Sequence, residues 1–125
     1  MLNKTELKQI ARTRLAEARL LIQRDNHYYE GAVHLCVCAI EIALKKKICD
    51  TLDWKGFPET DKEFEDFKSF RTHKQKVLLQ LSGQELQLKK DVKVWASWSI
   101  LQDLDIEIRY VPRGEVNEKK SQRNY

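Results

Sequence analysis

Four polar side chains interrupt the apolar stretch that runs from Tyr28 until Lys46 and Lys47 close it before Ile48: Glu30, His34, Glu41 and Lys45. Their spacings of four, seven and four residues put them on one narrow seam of a helix. A carboxylate and an imidazole on such a seam can line a polar pocket or move a proton. Glu41 is the most telling of the four, because its neighbours are apolar. Two readings stay open for it. It pairs with Lys45 one turn on, or accepts from Arg14, and fixes helix register; or it shares a polar pocket with Arg109. His34 is either a satisfied histidine of a helical bundle or a catalyst. His73 either packs and hydrogen-bonds at the start of a helix or acts as an acid or base.

Other chemistries lack their residues. There is no Gly-rich phosphate loop, no His-Glu-x-x-His and no serine flanked by the glycines of a nucleophile elbow. No inward Glu-x-x-His pair exists for a carboxylate metal site. Cys36 and Cys38 stand two residues apart, on different sides of a helix, and are poorly placed to chelate one ion. With Cys49 they read as reduced thiols packed as small hydrophobes in a cytoplasmic protein. No metal and no cofactor are therefore expected. Trp95 and Trp98 read as core and interface bulk, with a base-stacking platform as the alternative. Lys4, Lys8, Arg12 and Arg19 gather on one flank of the first helix, either as a solvated face or as a surface for phosphates.

These side chains need helices to hold them, and the composition favours helices. The chain has 125 residues, enough for one domain with one core, and only four Gly and two Pro. Hydrophobic residues make up 42% and charged ones 34%, a folded rather than a disordered balance. The net charge of +4 permits an anionic partner without demanding one. Met1 to Ile10 lacks the apolar core of a signal peptide, and the run Leu35 to Ile40 is too short to span a bilayer, so no membrane partner is expected.

The first helix should start at Asn3, with Glu6 as its capping-box partner. Leu7, Ile10, Ala11, Ala18, Leu21 and Ile22 form its apolar stripe, and Arg24, Asp25 and Asn26 end it. The second runs from Tyr28 to Ile48, apolar nearly all round and so surrounded by other helices. Thr60 with Glu63 should open a short helix through Phe64 and Phe67. Thr72 with Gln75 should open another, with Val77, Leu78 and Leu81 inside and Ser82-Gly83 as its stop. The last long helix covers Leu86 to Arg109 and ends at Val111-Pro112. The expected fold is all-α, an antiparallel up-and-down bundle of four to five helices over residues 1–112, followed by a polar, flexible tail over 113–125.

Taken in order, several segments resemble the HEPN domain family. They are Ala11-x-x-x-Leu15-x-x-Ala18, Tyr28-Tyr29-Glu30-Gly31-Ala32-Val33 and Ala39-Ile40-Glu41-x-x-Leu44-Lys45. His73 followed by Val77-Leu78-Leu79 is similar to that family's third segment, and Trp98 with Arg109-Tyr110 to its fourth helix. The resemblance implies a frequently dimeric bundle from prokaryotic toxin–antitoxin and defence systems. Such modules bind nucleotides or RNA, or partner a minimal nucleotidyltransferase. Many members are metal-independent RNases with an arginine, four to six residues, then a histidine. Here seven residues separate Arg19 from His27, one separates Arg71 from His73, and no histidine follows Arg109.

The expectation is thus a non-catalytic binding or interaction module, with Glu41, Lys45, Arg109, Tyr110 and Arg113 as its binding residues. The alternatives are an RNase toxin with a rearranged site using Arg109 with His73 or His34, and a purely structural scaffold.

Overall fold

The computed structural model describes residues 1–24 and 28–110, without the side chains of Arg24, Arg109 and Tyr110. The expected turn at Asp25 and Asn26, His27, and the tail after Tyr110 lie outside the described residues. Helix α1 spans Lys4–Arg24. It begins at the expected capping box: Asn3 Oδ1 accepts the Glu6 N–H at 2.8 Å, and Glu6 Oε1 accepts the Asn3 N–H at 3.3 Å. Each bond satisfies a donor that the first turn would otherwise leave open. Leu7, Ala11 and Ala18 are buried against α2, whereas Ile22 is exposed despite its place in the apolar stripe.

Helix α2, Tyr29–Leu52, runs a turn beyond its expected end at Ile48. Asp53 stops it in the left-handed conformation and returns its N–H to the Cys49 carbonyl. Ile48 and Cys49, where that added turn begins, are completely buried. The expectation that α2 is covered all round is corrected. Ala43 is exposed and Cys36 and Ile40, on the same side, are half-buried, so among the described residues that side of the helix is only partly covered; His34, on the opposite side, is exposed as well.

Two short strands were not expected. Leu2–Asn3 (β1) pairs antiparallel with Gly56–Phe57 (β2), Leu2 opposite Phe57. Only glycine fits at position 56, where a Cβ would lie 2.6 Å from the Leu2 carbonyl oxygen.

The Thr60–Glu63 cap forms, with the Glu63 N–H on Thr60 Oγ1 at 3.2 Å, but no α-helix grows from it. Phe64, Phe67 and Phe70 repeat every three residues, and the chain follows that period. Phe67 N–H bonds the Phe64 carbonyl at 2.8 Å and Phe70 N–H the Phe67 carbonyl at 3.0 Å, leading into a 3₁₀ turn at Lys68–Phe70. Three-residue turns keep such rings on one side, where Phe67 and Phe70 each meet Trp54 at 4.9 Å between centroids.

Helix α3, Gln75–Leu81, starts without the expected cap, because the Thr72 hydroxyl accepts from Lys74 instead. Gln75 turns inward and donates Nε2–H to the Val37 carbonyl at 2.6 Å. Leu78 and Leu79 are buried, and Gly83, at φ 75°, ends the segment as expected.

The long final helix is divided, contrary to expectation. Helix α4 spans Glu85–Lys90 and α5 spans Val92–Tyr110. Asp91 leaves helical geometry with ψ 100° and accepts the Val94 N–H on Oδ1 at 3.2 Å, restarting the helix as a cap. The chain is therefore mostly helical, with five α-helices among the described residues. None is long and apolar enough to cross a membrane.

Two cores result. Leu7, Ile48, Cys49, Phe57, Phe64 and Leu78 form the larger. Val33, Val37 and Leu104 form the smaller, flanked by Tyr29, Leu101 and Ile108.

Candidate functional site

The fold brings three of the sequence-derived candidates together. Glu41 and Lys45 come from adjacent turns of α2, and His73 comes from the extended stretch before α3. One oxygen serves both partners: Glu41 Oε2 lies 3.1 Å from Lys45 Nζ and 2.9 Å from His73 Nδ1. A carboxylate oxygen can only accept here, so in this contact Nδ1 carries the proton and Nε2 is left facing outward. Glu41 and Lys45 are largely buried, whereas the His73 ring is 86% exposed. A fixed inner nitrogen and a free outer one is the arrangement of an oriented imidazole.

The Lys45 ammonium also stands 5.3 Å from the Phe57 ring centroid. Across from it, the Arg71 guanidinium lies 5.6 Å from the Phe64 centroid and pairs with Asp61. Together Lys45, Phe57, Phe64, Phe70, Arg71 and His73 line a cavity of about 540 Å³. Its walls are aromatic and its polar groups are mainly cationic or able to become so, a combination suited to an anion carrying a flat apolar group.

The charges are not equally available. Glu41 already offsets Lys45. The Arg71–Asp61 pair is exposed on both sides, so it contributes little and Arg71 can turn to a ligand at small cost. Glu59 also borders the cavity, but the Met1 ammonium holds it at 3.1 Å. The same ammonium hydrogen-bonds Glu63 and lowers its pKa, while Glu63, then Glu59, raises that of Met1.

Other candidates fall elsewhere. His34, on the same face of α2, is exposed and has Cys38 Sγ 3.6 Å from its Nε2, so it stands apart from the Glu41–Lys45–His73 contact. Arg14 pairs with Glu17 on the surface rather than with Glu41. The side chains of Arg109 and Tyr110, and all of Arg113, lie outside the described residues, and so does the expected Glu41–Arg109 pocket. Trp95 and Trp98 are half-buried, with Lys89 Nζ 5.3 Å from the Trp95 ring centroid. Burial raises the pKa of Cys36, Cys38 and Cys49 alike. Among the described residues, no three of His, Cys, Asp and Glu are grouped to hold a metal ion.

Arg71 and the three phenylalanines were not among the expected site residues. A signal was present for Phe64, Phe70 and Arg71, in aromatics every third residue from Phe64 leading directly into Arg71-Thr72-His73, but not for Phe57. No family model, curated protein or solved structure matches the chain.

Proposed function

We propose that the chain is a HEPN-like binding module, an antiparallel up-and-down bundle serving a prokaryotic toxin–antitoxin or defence pair. It takes a phosphate-bearing ligand, a nucleotide or an RNA segment, in the cavity between Lys45, Arg71 and His73. The observation that carries this reading is that cavity: a recruitable guanidinium, a buried lysine and an oriented imidazole set around three phenylalanine rings. Phosphate oxygens suit the arginine fork, and a base suits the rings. The module acts as a homodimer or beside a protein partner such as a nucleotidyltransferase.

Calorimetric titration with adenosine triphosphate and with a short single-stranded RNA tests it. Binding of at least one is expected, weakened about tenfold by Arg71→Ala, which removes a charge-assisted contact of roughly 1.4 kcal/mol. No binding of either at millimolar concentration would leave a purely structural scaffold as the better account.

A second reading, a metal-independent RNase with a rearranged site, is favoured by the Glu41–His73 contact alone, since an oriented imidazole can move a proton. It predicts RNA cleavage in chelator that His73→Gln and Arg109→Ala both abolish. Such cleavage would replace the non-catalytic reading.

A further inference from the structure

On the side of α2 away from Lys45, a stripe of the helix lies open between α1 and α5. Three contacts place its edges. The Lys4–Asp50 ion pair, at 3.5 Å, ties α1 to α2 on this side. Leu15 and Ile22 follow Lys4 by eleven and eighteen residues, about three and five turns, so they share that side of α1 and are 47% and 57% exposed. Counting back from Asp50 by sevens gives Ala43, Cys36 and Tyr29 along α2. Tyr29 packs with Leu101 and Ile108 against the smaller core, which places the same stripe beside α5. Ile100 stands two turns before Glu107 and is 51% exposed.

The result is a trough with an apolar floor at Cys36, Ile40 and Ala43 and apolar walls at Leu15, Ile22 and Ile100. At one end it opens into an apolar cavity of about 380 Å³ lined by Ile40, Ala43, Val94, Trp98 and Leu101. Its rim is basic. Lys8, Arg12 and Arg19 run along α1 beside Leu15 and Ile22, Lys47 follows Ala43 by one turn, and Lys93 precedes Ile100 by two. None of these five is ion-paired among the described residues.

We infer that this trough docks an amphipathic helix of a partner protein, apolar on its inner face and acidic on its flanks. A groove between two helices with apolar anchors spaced by turns matches the helix-in-groove mode of recognition. The charge selects the occupant. A second copy of this chain would set the same cations against each other, whereas glutamates flanking a leucine stripe would meet them. The site is separate from the Lys45 cavity: Ala43 and Lys45, two residues apart, point to opposite sides of α2.

A labelled eighteen-residue peptide of leucines at helical spacing and glutamates elsewhere tests this by fluorescence anisotropy against the full chain. Binding is expected that falls about tenfold as salt rises from roughly 0.05 to 0.5 M. The same peptide with lysines for glutamates should not bind. Ala43→Arg, at an exposed position, should weaken binding at least tenfold, as should the triple change Lys8→Glu, Arg12→Glu, Arg19→Glu, while Lys45→Ala leaves it unchanged. Circular dichroism melts establish that each variant is folded. The inference is overturned if the acidic peptide does not bind at about 500 μM, if the basic peptide binds equally, or if Ala43→Arg has no effect. It is also overturned if sedimentation shows self-association that Ala43→Arg abolishes, or if a short RNA displaces the peptide and its binding is lost in the triple variant alone.

Discussion

The two ends of α2 are built differently. Toward its C-terminus, Ile48 and Cys49 are fully buried with Leu7 and Leu78, and the rings of Trp54, Phe57, Phe64, Phe67 and Phe70 close over that core. Toward its N-terminus the larger core side chains are only Val33, Val37 and Leu104, the other buried residues there being alanines, and Leu15, Ile22 and Ile100 remain exposed nearby. The closed end can hold polar groups in fixed positions, because its core is packed and ringed by aromatic side chains. There Glu41 keeps both Lys45 and His73. The open end has apolar area that the described residues leave exposed, and its rim is predominantly cationic. A closed core positions a small-ligand site, whereas an incomplete one leaves a surface for another helix.

The largest expected effect separates the cores directly. Leu78 is 0% exposed and Leu104 9%. Leu78→Ala should cost about 4 kcal/mol and Leu104→Ala about 2 kcal/mol in urea denaturation, since a cavity in a packed core cannot collapse while one beside an open trough can. Equal costs would erase the distinction. A second comparison uses thiols. Burial raises all three cysteine pKa values, so each stays protonated and slow to alkylate near neutral pH. Cys36, half-buried in the trough, should nevertheless react before the fully buried Cys49, which should wait for unfolding. Mass spectrometry of partly alkylated protein reads the order, and a Cys49-first pattern would contradict the assignment of the closed end.

The smallest effect is electrostatic. The hydrogen bond from Lys46, with help from Lys4, lowers the pKa of the Asp50 carboxyl below its ordinary value. A lowered folded pKa gives stability that is present above the unfolded value, about 3.9, and lost as pH falls through the folded one. Acidification from about pH 5 to pH 3 should therefore destabilise the native chain slightly more than Asp50→Asn, by under about 1 kcal/mol for so exposed a pair. A larger difference would mean that the Lys4–Asp50 tie, rather than packing, holds α1 to α2.

Much of this was legible one element at a time. Asn3 with Glu6 announced the start of α1, and Gly83 the end of α3, because caps and left-handed turns depend on residues within a few positions of each other. Asp91 was legible too, as a cap residue ahead of an apolar run, but helical periodicity on both sides masked the break. Glu41 and Lys45 were paired from their spacing alone. That His73 completes the pair was not, since 32 residues separate it from Glu41 and spacing carries no information across loops.

The sequence by itself determined the helical character of α1, α2, α3 and the stretch that holds α4 and α5, the start of α1 and the stop after α3, and that Glu41 sits among apolar neighbours. Those are outcomes of local hydrogen bonding and short-range periodicity. Only the tertiary structure decided that the aromatic segment winds over the end of α2 and carries Arg71 and His73 to Lys45. It also decided that α1 and α5 leave a stripe of α2 open. Both depend on how far each helix face is covered by partners distant in sequence, and burial of that kind is settled only when all the faces compete for the same neighbours.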